Sequence, residues 1–278
     1  MFTRILHVSI AVRSLEQALP FYRDVLGLPV GEEATVADQG VRAALLSMQD
    51  GEIELLEPTD PAGGVARFLE RRGEGLHHLC LETPDVAAAL THAKAVDLPL
   101  IDQSPRPGLA GMIAFLHPKA SHGVLVELAQ PLTPPAHPDP PGAGIQALGL
   151  ATVYVVVKDL LVAAATYARN FQGGVGAVED HPYFGARRVL VSIGSSQITL
   201  LSPADRKSPV GCFLADREEG LFGVCLRVMD LEAALLHLET TGIATEVHRQ
   251  STATPLARLD PIQVNGVNLF LCAGTSNA

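Results

Sequence analysis

The chain has 278 residues, of which 47% are hydrophobic and 18% charged, so it can bury the cores of two domains of ordinary size. Its net charge is −10 with histidine neutral, which excludes the basic surface needed to bind nucleic acid or an anionic membrane. The four cysteines contain no CxxC pair, and there is no signal-peptide pattern and no membrane-length apolar run. We expect a reduced, cytoplasmic protein, a monomer or a homodimer, that acts on a small-molecule substrate.

A strand–turn–helix pattern recurs four times along the chain, starting near residues 5, 76, 150 and 221. In each copy, alternating apolar residues predict a strand, and an Ala/Leu-rich segment after a polar turn predicts a helix. The predicted helices span residues 15–26, 86–95, 160–170 and 231–240. The candidate N-caps are Ser14, Asp85, Asp159 and Asp230. The candidate stop signals are Gly27, Gly173 and Gly242.

Each copy also ends in an apolar strand, at residues 52–58, 125–131, 197–203 and 268–273. The repeated unit is therefore β-α-β-β-β, and four units predict an α+β fold of two tandem domains with two units each. Residues 132–147 are rich in proline and glycine and predict an extended linker. The expected domains are residues 1–131 and 148–278.

Four ionisable residues occupy equivalent strand positions in the first two units. His7 and His78 lie in the first strands, and Glu54 and Glu127 lie in the last strands. All four project from apolar runs, where an unpaired charge is costly. Because the repeat brings equivalent positions together, two imidazoles and two carboxylates predict a site for a divalent transition metal. These ligands accept cobalt, manganese, nickel, zinc or iron, so the sequence does not select one of them. On a six-coordinate ion, four protein ligands would leave two positions for a bidentate substrate.

The third and fourth units hold poor ligands at the same positions, namely Thr152, Thr199, Gly223 and Phe270. The strand pattern survives there while all four ligands are replaced. We therefore expect residues 1–131 to bind the metal and residues 148–278 to form a degenerate, metal-free domain. A single buried histidine is more often a hydrogen-bonded core residue than a ligand, so the prediction depends on the four residues together.

The first half resembles the vicinal oxygen chelate superfamily, which includes glyoxalase I, extradiol dioxygenases and methylmalonyl-CoA epimerase. Over residues 4–131 it is most similar to the epimerase, in the stretches HVSIAV, FYRDVLGL, DQGVRAALL, IELLEP, GLHHLCLE, IAFLHPK and GVLVELAQP. The resemblance implies a metal bound by His7, His78 and Glu127, with Glu54 as the fourth ligand or a close neighbour. It also implies an acid/base residue at the start of the DQGV stretch, where the family usually has Glu and this chain has the shorter Asp38.

Two further departures from the epimerase pattern concern other parts of the chain. The usual epimerase subunit has a single domain, whereas this chain has an additional C-terminal half. Ser121 and His122 precede Gly123 at positions where the family favours small residues.

The predicted function is metal-dependent epimerisation or isomerisation through the enolate of a small acyl substrate, with acyl-CoA as one form. A metal that binds two vicinal oxygens stabilises the charge left when an α-proton leaves. Glu127 and Asp38 are the candidate bases for the two faces of that carbon. Three alternatives remain: a glyoxalase I-type enzyme, an extradiol dioxygenase, and a non-enzymatic drug-sequestering protein. A fourth ligand at Glu54 argues against the dioxygenase, and the intact quartet argues against the binding protein.

Overall fold

The computed structural model describes residues 2–132, 144–249 and 255–274, and these residues form two mixed eight-stranded sheets. Each sheet contains two of the repeated units. The α+β class and the tandem arrangement of four β-α-β-β-β units are confirmed. Of the predicted linker, residues 133–143 lie outside the described residues, and its last residue, Ala147, already belongs to a strand.

The first half supplies one sheet and three helices. Its strands are β1 (Arg4–Ala11), β2 (Val30–Val36), β3 (Val41–Ser47), β4 (Glu52–Pro58), β5 (Gly75–Glu82), β6 (Arg106–Gly108), β7 (Gly111–Leu116) and β8 (Val126–Gln130). Its helices are α1 (Leu15–Leu19), α2 (Gly64–Arg72) and α3 (Val86–Ala95). The strand order is β2-β3-β4-β1-β5-β8-β7-β6, so the first and last strands of each unit are parallel neighbours near the centre.

The second half repeats this arrangement. Its strands are β9 (Ala147–Val156), β10 (Gly174–His181), β11 (Ala186–Ile193), β12 (Ser196–Pro203), β13 (Gly220–Val228), β14 (Thr245–His248), β15 (Leu256–Leu259) and β16 (Leu269–Ala273). Its helices are α4 (Leu160–Phe171), α5 (Pro209–Arg217) and α6 (Leu231–Thr240). The order β10-β11-β12-β9-β13-β16-β15-β14 is the equivalent of the first sheet.

The predicted helix starts are confirmed, because each candidate N-cap accepts a hydrogen bond from a first-turn amide. The four caps are Ser14, Asp85, Asp159 and Asp230. Gly27 and Gly242 have the left-handed φ of stop residues, +72° and +77°. The stop assigned to Gly173 is wrong by one position, because Gln172 is the left-handed residue there.

Two differences from the predicted helices have local causes. The helix expected over residues 15–26 is α-helical only to Leu19 and continues as a π-helical turn over Pro20–Val25. Proline has no amide hydrogen, so the regular bonding pattern cannot continue through Pro20. Helices α2 and α5 follow the last strands of units one and three and were not predicted.

Contacts between Cα atoms divide the chain into two compact units, and each unit takes segments from both halves. The described residues of the first unit fall within 1–6, 78–134 and 152–222. Those of the second fall within 7–77, 135–151 and 223–278. The predicted domain boundaries follow the hydrogen-bonded sheets instead, and they stay a prediction.

Within the first unit, helix α4 binds the turn that precedes β8. Tyr167 Oη donates a hydrogen bond of 3.1 Å to the carbonyl oxygen of Ser121. Asn170 Nδ2 donates one of 2.7 Å to the carbonyl oxygen of Ala120. Tyr167 and Asn170 are buried, so these bonds satisfy carbonyl groups that water does not reach.

Replacing Tyr167 with phenylalanine is expected to lower the free energy of unfolding by about 1 kcal/mol, because the Ser121 carbonyl loses the nearer of its two donors and keeps only the Val124 amide, at 3.3 Å. Tyr22 is the repeat-equivalent residue in the first helix and is the matched control. Its hydroxyl is buried and has no hydrogen-bond partner among the described residues, so Tyr22→Phe should be neutral or slightly stabilising. Urea unfolding of both variants measures the difference, and equal losses would contradict this account.

Candidate metal centre

His7 and Glu54 lie on the parallel strands β1 and β4. The register pairs His7 with Glu52 and Ser9 with Glu54, so these four side chains share one face of the sheet. His7 Nε2 lies 3.6 Å from Glu54 Oε2. Ser9 Oγ donates to Glu54 Oε2 at 2.5 Å. All four residues are buried, so the two carboxylates require a compensating charge or donor.

His78 and Glu127 form the equivalent pair on β5 and β8. His78 Nε2 lies 3.2 Å from Glu127 Oε2, and both side chains are buried. The ring of Phe115 meets the His78 ring edge-on, with centroids 5.2 Å apart. Phe115 is also the β7 residue opposite Glu127, so one aromatic side chain packs beside both members of the pair.

Two overlapping sets of buried side chains each bring one ligand atom per residue within 4.8 Å of one another. They are His7, Glu54 and His78, and His7, Cys80 and Glu127. The structure thus brings all four predicted ligands into groups that can hold a metal ion.

The distances suit such an ion. Metal–nitrogen and metal–oxygen bonds of about 2.1 Å at right angles separate neighbouring ligand atoms by about 3 Å. The pairs at 3.6 and 3.2 Å are close to that spacing. Two imidazoles and two carboxylates, with a thiol nearby, are ligands that a divalent transition metal accepts. The donor set therefore fits the metal that the sequence predicts.

Asp38 belongs to neither set of ligands. It lies exposed in a 3₁₀ turn over Ala37–Gln39. Leu45 is the β3 residue opposite Glu54, and Val41 is four residues from it, roughly 13 Å along the strand. Asp38 lies beyond Val41. Its catalytic role stays a prediction, and its position in this structure gives that role no support.

Two buried groups on the same face were not among the predicted site residues. Cys80 is fully buried and is part of the second set of ligands. Glu52 is buried opposite His7, and Ser47 Oγ lies 3.4 Å from its Oε1. Both could have been found from the spacing, because Cys80 follows His78 by two residues and Glu52 precedes Glu54 by two, and alternate strand residues share a face.

The equivalent positions in the second half are filled by other contacts. Thr152 Oγ1 and Thr199 Oγ1 are joined by a hydrogen bond of 2.8 Å. A Cβ added to Gly223 would lie 2.9 Å from Cε2 of Phe270, so the glycine makes room for the aromatic ring. Both sets of potential metal ligands among the described residues lie in the first half.

Comparison with known proteins gives the family. A profile described as the Glyoxalase/Bleomycin resistance protein/Dioxygenase superfamily matches residues 6–116. The ethylmalonyl-CoA/methylmalonyl-CoA epimerase of Cereibacter sphaeroides is 38% identical over 47% of this chain and 99% of that protein. The mitochondrial methylmalonyl-CoA epimerase of Dictyostelium discoideum is 35% identical over 45% of this chain and 76% of that protein. The chain therefore belongs to this superfamily, and its N-terminal half is homologous to methylmalonyl-CoA epimerases.

A solved structure of another protein resembles this chain over nearly its whole length. A variant of 4-hydroxymandelate synthase from Streptomyces coelicolor covers 98% of this chain and 92% of its own, with a TM-score of 0.72 and 18% identity. At this identity the likeness concerns the fold alone, and it covers both halves of the chain. Among the described helices, none has the length and apolar character needed to cross a membrane.

Proposed function

We propose that the protein is a divalent-metal-dependent epimerase or isomerase that forms an enolate from a small acyl substrate. The proposed metal ligands are His7, Glu54, His78 and Glu127. The observation that supports this best is that these four buried residues fall in two overlapping sets of potential ligands that share His7, in the half homologous to methylmalonyl-CoA epimerases.

Charge balance supports a divalent cation at these residues. Two carboxylates are costly to bury without a compensating positive charge, which a divalent cation would supply. When bound, the metal supplies a Lewis acid that stabilises the negative charge on the enolate oxygen. The chain itself orients the ligands: Ser9 donates to Glu54, and Phe115 packs against the ring of His78.

Glu127 is the proposed group that removes the α-proton. Its carboxylate is buried beside His78 and lies on the face that carries the other ligands. The Glu127 carboxylate would help to hold the metal and would accept the α-proton as a general base. Epimerisation needs proton transfer on both faces of the carbon, and Asp38 is the candidate that the family resemblance supplies for the second face.

Exchange of the α-proton with solvent tests the proposed function. Metal-loaded protein is incubated in D₂O with methylmalonyl-CoA or ethylmalonyl-CoA, and deuterium at the α-carbon is followed by NMR and mass spectrometry. We expect exchange in the natural protein and none above background in Glu127→Gln. Conversion of the glutathione adduct of methylglyoxal, or oxygen uptake with a catechol, would favour the glyoxalase or dioxygenase alternative. No exchange with either thioester contradicts the epimerase proposal.

Asp38→Asn separates the two candidate bases. We expect this substitution to remove turnover and to leave the metal content unchanged, because the proposed second acid/base loses its charge while Asp38 belongs to neither set of metal ligands. Metal content and turnover are measured on the same preparation. Unchanged turnover would contradict the catalytic role of Asp38.

A further inference from the structure

Arg106 lies on the face of the first sheet that carries the candidate metal ligands. The pairing of β6 with β7 places Arg106 opposite Ile113, and the pairing of β7 with β8 places Phe115 opposite Glu127. Opposed residues and alternate residues of a strand share a face of the sheet. Arg106, Ile113, Phe115 and Glu127 are therefore on one face.

Contacts fix the guanidinium close to the candidate site. Arg106 Cζ lies over the ring of Phe115, 5.6 Å from its centroid, and the same ring packs against His78. Arg106 Nε lies 3.4 Å from both carboxylate oxygens of Asp102. Asp102 Oδ2 in turn accepts a hydrogen bond of 2.9 Å from the Phe115 amide. These contacts orient the Arg106 side chain. Because that side chain is 30% exposed, it is still accessible to a dissolved anion.

We propose that Arg106 anchors the carboxylate of the substrate beside the candidate metal ligands. This inference rests on the proposed function, because it assigns the second end of the same small acid. A guanidinium stacked on an aromatic ring presents its N–H donors in a fixed plane, which matches the two oxygens of a carboxylate. In a chain of net charge −10, an anionic substrate needs such a fixed cation.

A charged carboxylate is therefore the feature that Arg106 selects. An analogue whose carboxylate is replaced by an amide keeps its size but loses the charge-assisted hydrogen bonds. Discrimination between the two ligands should disappear when the guanidinium is removed. If Arg106 had only a structural role, its removal would weaken the binding of both ligands equally and would leave the ratio of their affinities unchanged.

The test titrates malonate, and malonamide, its diamide, into the full-length protein by calorimetry, with and without manganese. We expect malonate to bind about 10- to 100-fold more tightly than malonamide, and Arg106→Gln to remove most of that preference. Arg106→Lys should keep part of it, because the charge remains and the planar fork is lost. Arg42→Gln is the matched control, since Arg42 pairs with Glu33 at an exposed position, and it should bind like the natural protein.

Unchanged malonate binding in Arg106→Gln would overturn the inference, as would failure of the natural protein to bind malonate in either condition. Binding of inorganic phosphate that depends on Arg106, without binding of malonate, would also overturn it. If manganese does not bind but malonate binding still depends on Arg106, the anchor stands and the metal proposal fails. The two proposals are thus tested separately.

Discussion

Replacing both His78 and Glu127 with alanine should remove about one divalent transition metal per chain from protein purified without added metal. The Nε2 and Oε2 atoms of these residues lie 3.2 Å apart, so a single ion can bind both. Loss of two of the four proposed ligands leaves His7 and Glu54, which are too few to hold an ion against buffer and water. Elemental analysis of the natural protein and the variant gives the metal content directly.

The second half provides the matched control for that experiment. Thr152 and Thr199 occupy the positions equivalent to His7 and Glu54, and replacing both with alanine should leave the metal content unchanged. Metal should also raise the midpoint of thermal unfolding of the natural protein but not that of the variant, because a ligand stabilises only the state that binds it. If the natural protein contains no metal and takes up neither cobalt nor manganese, the metal site is absent and the binding-protein alternative is favoured.

Replacing Gly123 with alanine should destabilise the protein by more than about 3 kcal/mol. Gly123 has φ of +82°, and an added Cβ would lie 2.1 Å from the carbonyl oxygen of Glu219. The substitution therefore combines a strained backbone with an overlap against another backbone segment, which cannot move aside as a flexible side chain can. The expected result is a large loss of stability, or failure to fold at 37 °C.

Gly242→Ala separates these two causes. Gly242 has a similar φ of +77°, but nothing lies within 4 Å of an added Cβ. Only the cost of the left-handed backbone remains, about 1 kcal/mol. Chemical denaturation of both variants measures the difference. Equal effects would mean that the close approach to Glu219 does not constrain the fold.

Much of the fold could be predicted from local signals. Period-two alternation identified the first and last strands of every unit, and each of the four predicted helices begins after a Ser or Asp whose side chain caps it. Helix α2 has Gly63 at its N-cap and no capping side chain, so its start gave no signal. Helix α5 did have one, because Ser208 caps it and Pro209 follows at its first turn.

Some residues of the candidate site could also be predicted from local signals, and others could not. The four proposed ligands were visible because repeat-equivalent positions and apolar strands selected them together. Asp38 was proposed from family resemblance at a position where this chain differs from the family, and no local pattern places it near the ligands. Arg106 lies on a three-residue strand without a detectable pattern, so its relation to the metal ligands depends on pairing that only the structure provides.

Each compact unit combines segments from both halves of the chain, and equivalent contacts occur in the two units. In the first unit, His122 Nδ1 lies 3.2 Å from the Glu219 carboxylate, and in the second, Asn265 Nδ2 donates to Glu74 at 3.1 Å. These are the same contact made twice, by equivalent pairs of repeats. Duplication and fusion of a gene for a self-associating half-length ancestor would produce this arrangement, because a tether converts an association between subunits into one within a chain. After such a fusion the residues of one copy can change independently of the other, which accounts for a hydroxyl pair and a phenyl ring where the first copy has histidine and glutamate.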